Sequence, residues 1–102
     1  MATNVTQVQI TAADNELYVL ASQAVGSEEL CHIKSGFNAP VNYAFDPHSV
    51  LPKGNYDLTF IGYNWGGPWA FKITTTPPIP NLGGSGSGGA GVVLSQTVQI
   101  TV

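Results

Sequence analysis

Charge is what this chain has least of. Only 9% of its 102 residues are charged, against about 25% in an average globular domain. Its cations are Lys34, Lys53 and Lys72, and it has no arginine. Neutralising a phosphate backbone takes a cluster of cations, so the sequence argues against nucleic acid as a partner. The same shortage argues against an anionic membrane surface. Cysteine is almost missing too. Cys31 is the single thiol, which rules out an internal disulfide and a cysteine-based zinc site. Its place in an apolar run predicts a buried, inert group. No stretch reaches the ~20 apolar residues that span a bilayer. No cationic and then apolar leader follows Met1, so the expected location is left between the cytoplasm and export by another route.

Catalytic sets are lacking as well. No Gly-x-Ser-x-Gly elbow, no Asp-rich calcium loop and no phosphate-cradling Gly-Lys-Ser/Thr motif is present. His32 and His48 fall on separate segments, His32 as a packing residue within a strand and His48 as a solvated turn residue. Asp46 and His48 supply two donors where a metal site needs more. Glu28 and Glu29 are adjacent and would face opposite ways on a strand. The sequence therefore predicts a protein that is not an enzyme, with no cofactor and no metal.

What is present is strand periodicity. Residues 92–102 read V-V-L-S-Q-T-V-Q-I-T-V. Val92, Leu94, Val98, Ile100 and Val102 share one parity, and Ser95, Thr97, Gln99 and Thr101 the other. Successive side chains of a strand point to opposite faces, so this segment has one dry face that a sheet must cover. Alternation or short apolar runs predict six further strands: residues 4–12, 17–24, 29–37, 41–45, 55–63 and 69–74. Asp14-Asn15, Gly26-Ser27, Asn38-Ala39-Pro40, Asp46-Pro47 and Leu51-Pro52-Lys53-Gly54 read as turns or breaks between them. Seven strands at this spacing read as an all-β, antiparallel sandwich, immunoglobulin-like or jelly-roll-like. The run L-P-K-G-N-Y-D-L-T-F over residues 51–60 is similar to the turn that leads into a strand in many immunoglobulin-like domains. That resemblance speaks to architecture and not to activity.

The domain organisation follows. Residues 1–80 form the sandwich body and residues 81–91 a flexible Gly/Ser linker. Residues 92–102 are a terminal strand completing the same domain or a neighbouring copy. A fifteen-residue connector without a strand signal is long for a compact domain. Its nine-residue Gly/Ser/Ala part spans roughly 17 Å root-mean-square. The first strand and the last share V-Q-I-T, at residues 8–11 and 98–101. The two copies are expected to occupy similar environments, either as neighbours in one sheet or with one sitting where a partner's copy would otherwise sit.

Two functions follow from these patterns. In the first, the chain is a structural, self-assembling subunit and a homo-oligomer through its sheet edges. The assembly strand carries Val92, Leu94, Val98, Ile100 and Val102, paired in cis or exchanged between copies. That format is similar to donor-strand assemblies such as pilus subunits. In the second, it is a small lectin-like, carbohydrate-binding module. Tyr63, Asn64, Trp65 and Trp69 gather two indoles, a phenol and an amide about Gly66-Gly67-Pro68. Flat rings stack on a sugar's apolar face while an amide binds its hydroxyls.

Overall fold

The structure, a computed structural model, describes residues 2–36 and 39–102. It is nearly all β, and its strands run β1 (Thr3–Asn4), β2 (Gln7–Ser22), β3 (Ser27–Ser35) and β4 (Tyr43–Phe45). A single turn of helix, α1 (Pro47–Val50), precedes β5 (Asn55–Asn64), β6 (Gly67–Thr76), β7 (Gly84–Gly88) and β8 (Gly91–Thr101). Asp46 caps α1 by accepting from the His48 backbone N–H at 2.9 Å, and Pro47 opens its first turn. Among the described residues no helix is long and apolar enough to cross a membrane.

The eight strands found among the described residues all belong to one curled sheet. The sheet is mixed and not antiparallel throughout, because β1 runs parallel to β8, with Thr3 beside Ile100. The long β2 organises it. Its first half lies between β4 and β6, and its second half between β3 and β5. Asp14-Asn15, expected to reverse the chain, is instead passed without a turn. The ladders there shift register between Ile10 and Ala12 and between Asp14 and Asn15. Each extra residue bends the strand. The inward parity changes with it, from Val8 and Ile10 to Ala13, Leu17, Val19 and Ala21. A crease thus divides the sheet into one half of β4, β2, β6 and β7, and another of β3, β2, β5, β8 and β1. Phe71 and Ile73 from the first half share one core with Leu58, Phe60, Leu94 and Ile100 from the second.

The terminal strand pairs with β5 from Asn55 to Asn64 and is covered within the molecule. Leu94 and Ile100 are buried, and Val98 and Val102 half-buried. Val92 departs from its expected face and is 61% exposed. The cause is a register shift between Gly62 and Tyr63, which sets Val92 opposite Tyr63 on the outer surface. Gln96 stands in the apolar row and clamps the preceding loop. Its Oε1 accepts from Gly83 N–H at 2.8 Å and its Nε2 donates to Asn81 C=O at 2.9 Å.

Within residues 81–91, read as a linker, lies β7. It pairs with β6 from Gly84 opposite Phe71 to Gly88 opposite Gly67. Its G-S-G-S-G alternation puts glycine toward Trp69. A Cβ on Gly86 would stand 2.9 Å from the indole, so only glycine lets the strand lie on that ring. The V-Q-I-T copies are not neighbours. Residues 8–11 belong to β2 beside β6, and residues 98–101 to β8 beside β5, on opposite halves. Their environments are alike at one position, since Ile10 and Ile100 are both fully buried in the shared core. Phe37 and Asn38, the end of the expected third strand and the start of the break after it, lie outside the described residues.

Candidate functional site: an aromatic platform on the outer sheet face

The second half of β2 alternates Leu17, Val19 and Ala21 inward with Glu16, Tyr18 and Leu20 outward. Registers then fix what lies beside them. One row across β3, β2, β5 and β8 reads Lys34, Glu16, Tyr63, Val92. The next reads His32, Tyr18, Ile61, Ser95. With strands about 4.8 Å apart, each row is roughly 14 Å wide. Trp65 follows β5 directly and stands at the crease, where its backbone N–H donates to Asn15 Oδ1 at 2.8 Å.

Glu16 is the hub. Its Oε2 accepts from Trp65 Nε1 at 2.6 Å. Its Oε1 accepts from His32 Nε2 at 2.8 Å and from the Tyr18 hydroxyl at 3.3 Å. The His32 ring lies flat on Tyr18, with centroids 4.0 Å apart and planes 12° from parallel. These donors favour the carboxylate, the Trp65 N–H first, and hold Glu16 below its ordinary value of 4.5. The sign follows from that direction. The bonds are intact above the ordinary value and are lost as pH falls through the lowered one. The Tyr18 hydroxyl is pushed up, by burial and then by the Glu16 charge.

The rings are therefore held in place yet open to solvent. Trp65 is 55% exposed and Tyr63 37%. A carboxylate has about four acceptor sites, and three donors occupy Glu16, which leaves one for a ligand hydroxyl. Cavities of about 570, 360 and 280 Å³ lie elsewhere on the molecule. The face is a shallow platform.

The four residues grouped by sequence separate in space. Tyr63 and Trp65 share the platform. Asn64 points inward and is fully buried. Its Nδ2 donates to Gly67 C=O at 3.1 Å and to Gly88 and Gly89 C=O, each at 3.3 Å. It pins the β5–β6 turn to the β7–β8 turn. Trp69 is half-buried between Phe71, at 5.7 Å between centroids, and Gly86. Glu16, Tyr18 and His32 were not grouped with these residues by sequence. Residues 17–21 read as an apolar run, which hides the outward row of β2. His32, expected as a packing residue, stacks on Tyr18 and faces solvent. His48 is exposed, with Nε2 2.6 Å from Asn4 Oδ1. Cys31 is half-buried on β3, and burial pushes its thiol up to about 11, with Glu29 adding to it.

Comparison with protein-family models, with curated proteins and with solved structures found no match for the chain.

Proposed function

We propose that this chain is a non-enzymatic carbohydrate-binding module whose ligand lies across the outer face of β2, β3, β5 and β8. The observation that carries the reading is the exposed Trp65 indole fixed to Glu16 at 2.6 Å. An aromatic face immobilised before binding costs no further ordering when a sugar ring stacks on it. Tyr63 extends the platform, and Glu16 and Ser95 supply polar contacts for hydroxyls along its two rows. A flat site of this width suits a saccharide chain laid along the sheet better than a small molecule that must be enclosed.

The test is a glycan array followed by tryptophan fluorescence titration with the best hit. Trp65→Ala is expected to weaken binding about 30-fold, the ~2 kcal/mol typical of an aromatic hot spot. The melting transition should stay within a few degrees, because the side chain is largely exposed. Trp69→Phe should leave the response intact. The response should also fade as pH falls through the lowered Glu16 value. An array without hits, or a Trp65→Ala variant that binds as well as the parent, overturns the proposal.

A second reading rests on a separate observation, the outer edge of β8. Only Ile100 and Thr101 pair with β1, so among the described residues the edge from Gly91 to Gln99 has no second neighbour. β8 carries no charge, whereas β3, the opposite edge, carries Glu28, Glu29 and Lys34. Natural edges are usually blunted by such charges. Self-assembly would therefore proceed by two-fold pairing of β8 with β8 from a second copy, each β8 also staying on its own β5. Light scattering should find a dimer that Thr97→Lys, a charge on the exposed face of that edge strand, reduces to a monomer. A monomer at all concentrations overturns this second reading and leaves the first untouched. The sandwich assignment, immunoglobulin-like or jelly-roll-like, belongs to the same proposal. Its support is that the two halves of the creased sheet bury one core between them.

A further inference from the structure

A groove of about 360 Å³ opens on the same outer face as the aromatic platform, toward the other end of β5. The ladders set Ser22 of β2 opposite Asp57 of β5, and Asp57 opposite Gln99 of β8. All three line the groove, together with Asn55, Gln23 and Ala2. Their parity is outward, because Ala21, Tyr56, Leu58 and Ile100, their neighbours along the strands, are buried. Asp57 therefore shares a face with Tyr63, six residues and about 20 Å away along β5. Between them β5 presents Ile61 and Thr59 outward, β2 Tyr18 and Leu20, and β8 Ser95 and Thr97. Thr59 Oγ1 and Thr97 Oγ1 bond to each other at 3.0 Å. A strip without charge thus joins the indole end of the face to its amide end.

Ser22 Oγ and Gln23 Nε2 donate to the backbone carbonyls of Asp57 and Asn55, at 3.5 and 3.3 Å, and leave the side chains of those two residues to solvent. Gln99 is exposed beside them. A carboxylate accepts hydrogen bonds, and an amide both accepts and donates. Together they complement adjacent hydroxyls on a sugar ring, as the rings at the other end complement its apolar face. Charge narrows the sugar class. Glu16, Glu29 and Asp57 stand in the outward rows against Lys34, so a sulfated or uronate chain would be repelled. We propose, on the sugar-binding reading of the platform, that the groove is a second subsite for the same ligand, and that this ligand is a linear, uncharged polysaccharide running along β5 from Trp65 to Asp57. Its rings stack at the indole end, and its hydroxyls exchange hydrogen bonds with Asp57, Asn55 and Gln99 at the other. One chain makes both contacts, so the second forms at the high effective concentration of an intramolecular step.

The test is calorimetry on the whole chain with di- and hexasaccharides of cellulose, amylose, xylan and N-acetylated chitin. In the series that binds best, the hexasaccharide reaches both ends and should bind at least ~10-fold tighter than the disaccharide, which reaches one. Asp57→Ala should weaken the hexasaccharide about 10-fold, the loss of one hydrogen bond to a charged group, and leave the disaccharide unchanged. Asp57 is exposed, so the variant should melt with the parent. Trp65→Ala should weaken both lengths. In NMR spectra the backbone amide signals of Asp57 and Gln99 should move with the hexasaccharide and stay in place with the disaccharide. Oligogalacturonate, with a carboxylate on every ring, should bind more weakly than the best neutral series. Equal affinity for the two lengths, or full affinity in Asp57→Ala, overturns the second subsite, and a loss in Trp65→Ala then still upholds the platform. Tighter binding of oligogalacturonate overturns the assigned ligand class. An absence of binding in every series overturns subsite and platform together.

Discussion

Deletion of residues 94–102 is expected to yield a chain that does not fold, seen as loss of the cooperative melting transition and as aggregation in light scattering. β8 contributes Leu94 and Ile100 to the core and is the partner of β5 along its whole length. Truncating one such buried side chain to alanine costs about 2–5 kcal/mol. The whole domain is held by only about 5–15 kcal/mol. Two core side chains together with a full ladder exceed that margin. The lost strand would also bare β5, whose inward Tyr56, Leu58 and Phe60 are buried, and leave it as a new edge. Ile100→Ala offers a graded version, expected to lower stability by about 2–5 kcal/mol in urea with the transition still two-state. A truncated chain that melts cooperatively as a monomer would refute the role assigned to this strand.

Gly62→Ala should be strongly damaging although it adds a single methyl group. Gly62 sits on β5 where the two halves of the sheet press together. A Cβ there would lie 2.7 Å from two Phe71 ring atoms and 2.9 Å from Leu94 Cβ. Phe71 is buried and cannot swing aside. Overpacking of this kind costs about 1–3 kcal/mol. For a domain of this size that is roughly a 4–24 °C fall in Tm, at about 4–8 °C per kcal/mol. Gly88→Ala is the control, since a Cβ there meets nothing within 4 Å. Phe71→Leu placed in the Gly62→Ala background should recover part of the loss, an interaction a double-mutant cycle reads directly. Equal melting of Gly62→Ala and the parent would mean that the halves are not packed as described.

These two positions also mark how far sequence reaches. β8 was legible because Val, Leu and Ile alternate with Ser, Thr and Gln, and hydropathy carries that signal. Gln96 was passed over in its row because its work is done by hydrogen bonds to a loop that no periodicity reveals. β7 was illegible for a related reason. Its G-S-G-S-G alternates in size and not in hydropathy, and its glycine face has meaning only once Trp69 lies beneath it. Asp14-Asn15 carries the composition of a turn, but at the crease those residues bend a continuous strand. Strand counts from turn signals therefore divide β2 in two.

The platform was half visible. The cluster from Tyr63 to Trp69 could be seen as aromatic, yet the outward parity of Tyr63, the inward Asn64 and the opposite placement of Trp69 depend on the β5–β2 register and on the turn after β5. Glu16 and Tyr18 could have been found by reading residues 16–21 as alternation between two faces and not as one apolar run. Their meeting with His32 and Trp65, which lie 16 and 49 residues from Glu16 in the chain, required the fold.

The parallel contact between β1 and β8 has a practical side. Thr3 and Ile100 lie on adjacent strands, about 4.8 Å apart. Asn55, the first residue of β5, faces Thr101, while Asn64 at its other end leads into Trp65. The chain leaves β8 at this rim, and the exposed indole stands at the opposite one. A tag or carrier joined after β8 would hold the indole outward.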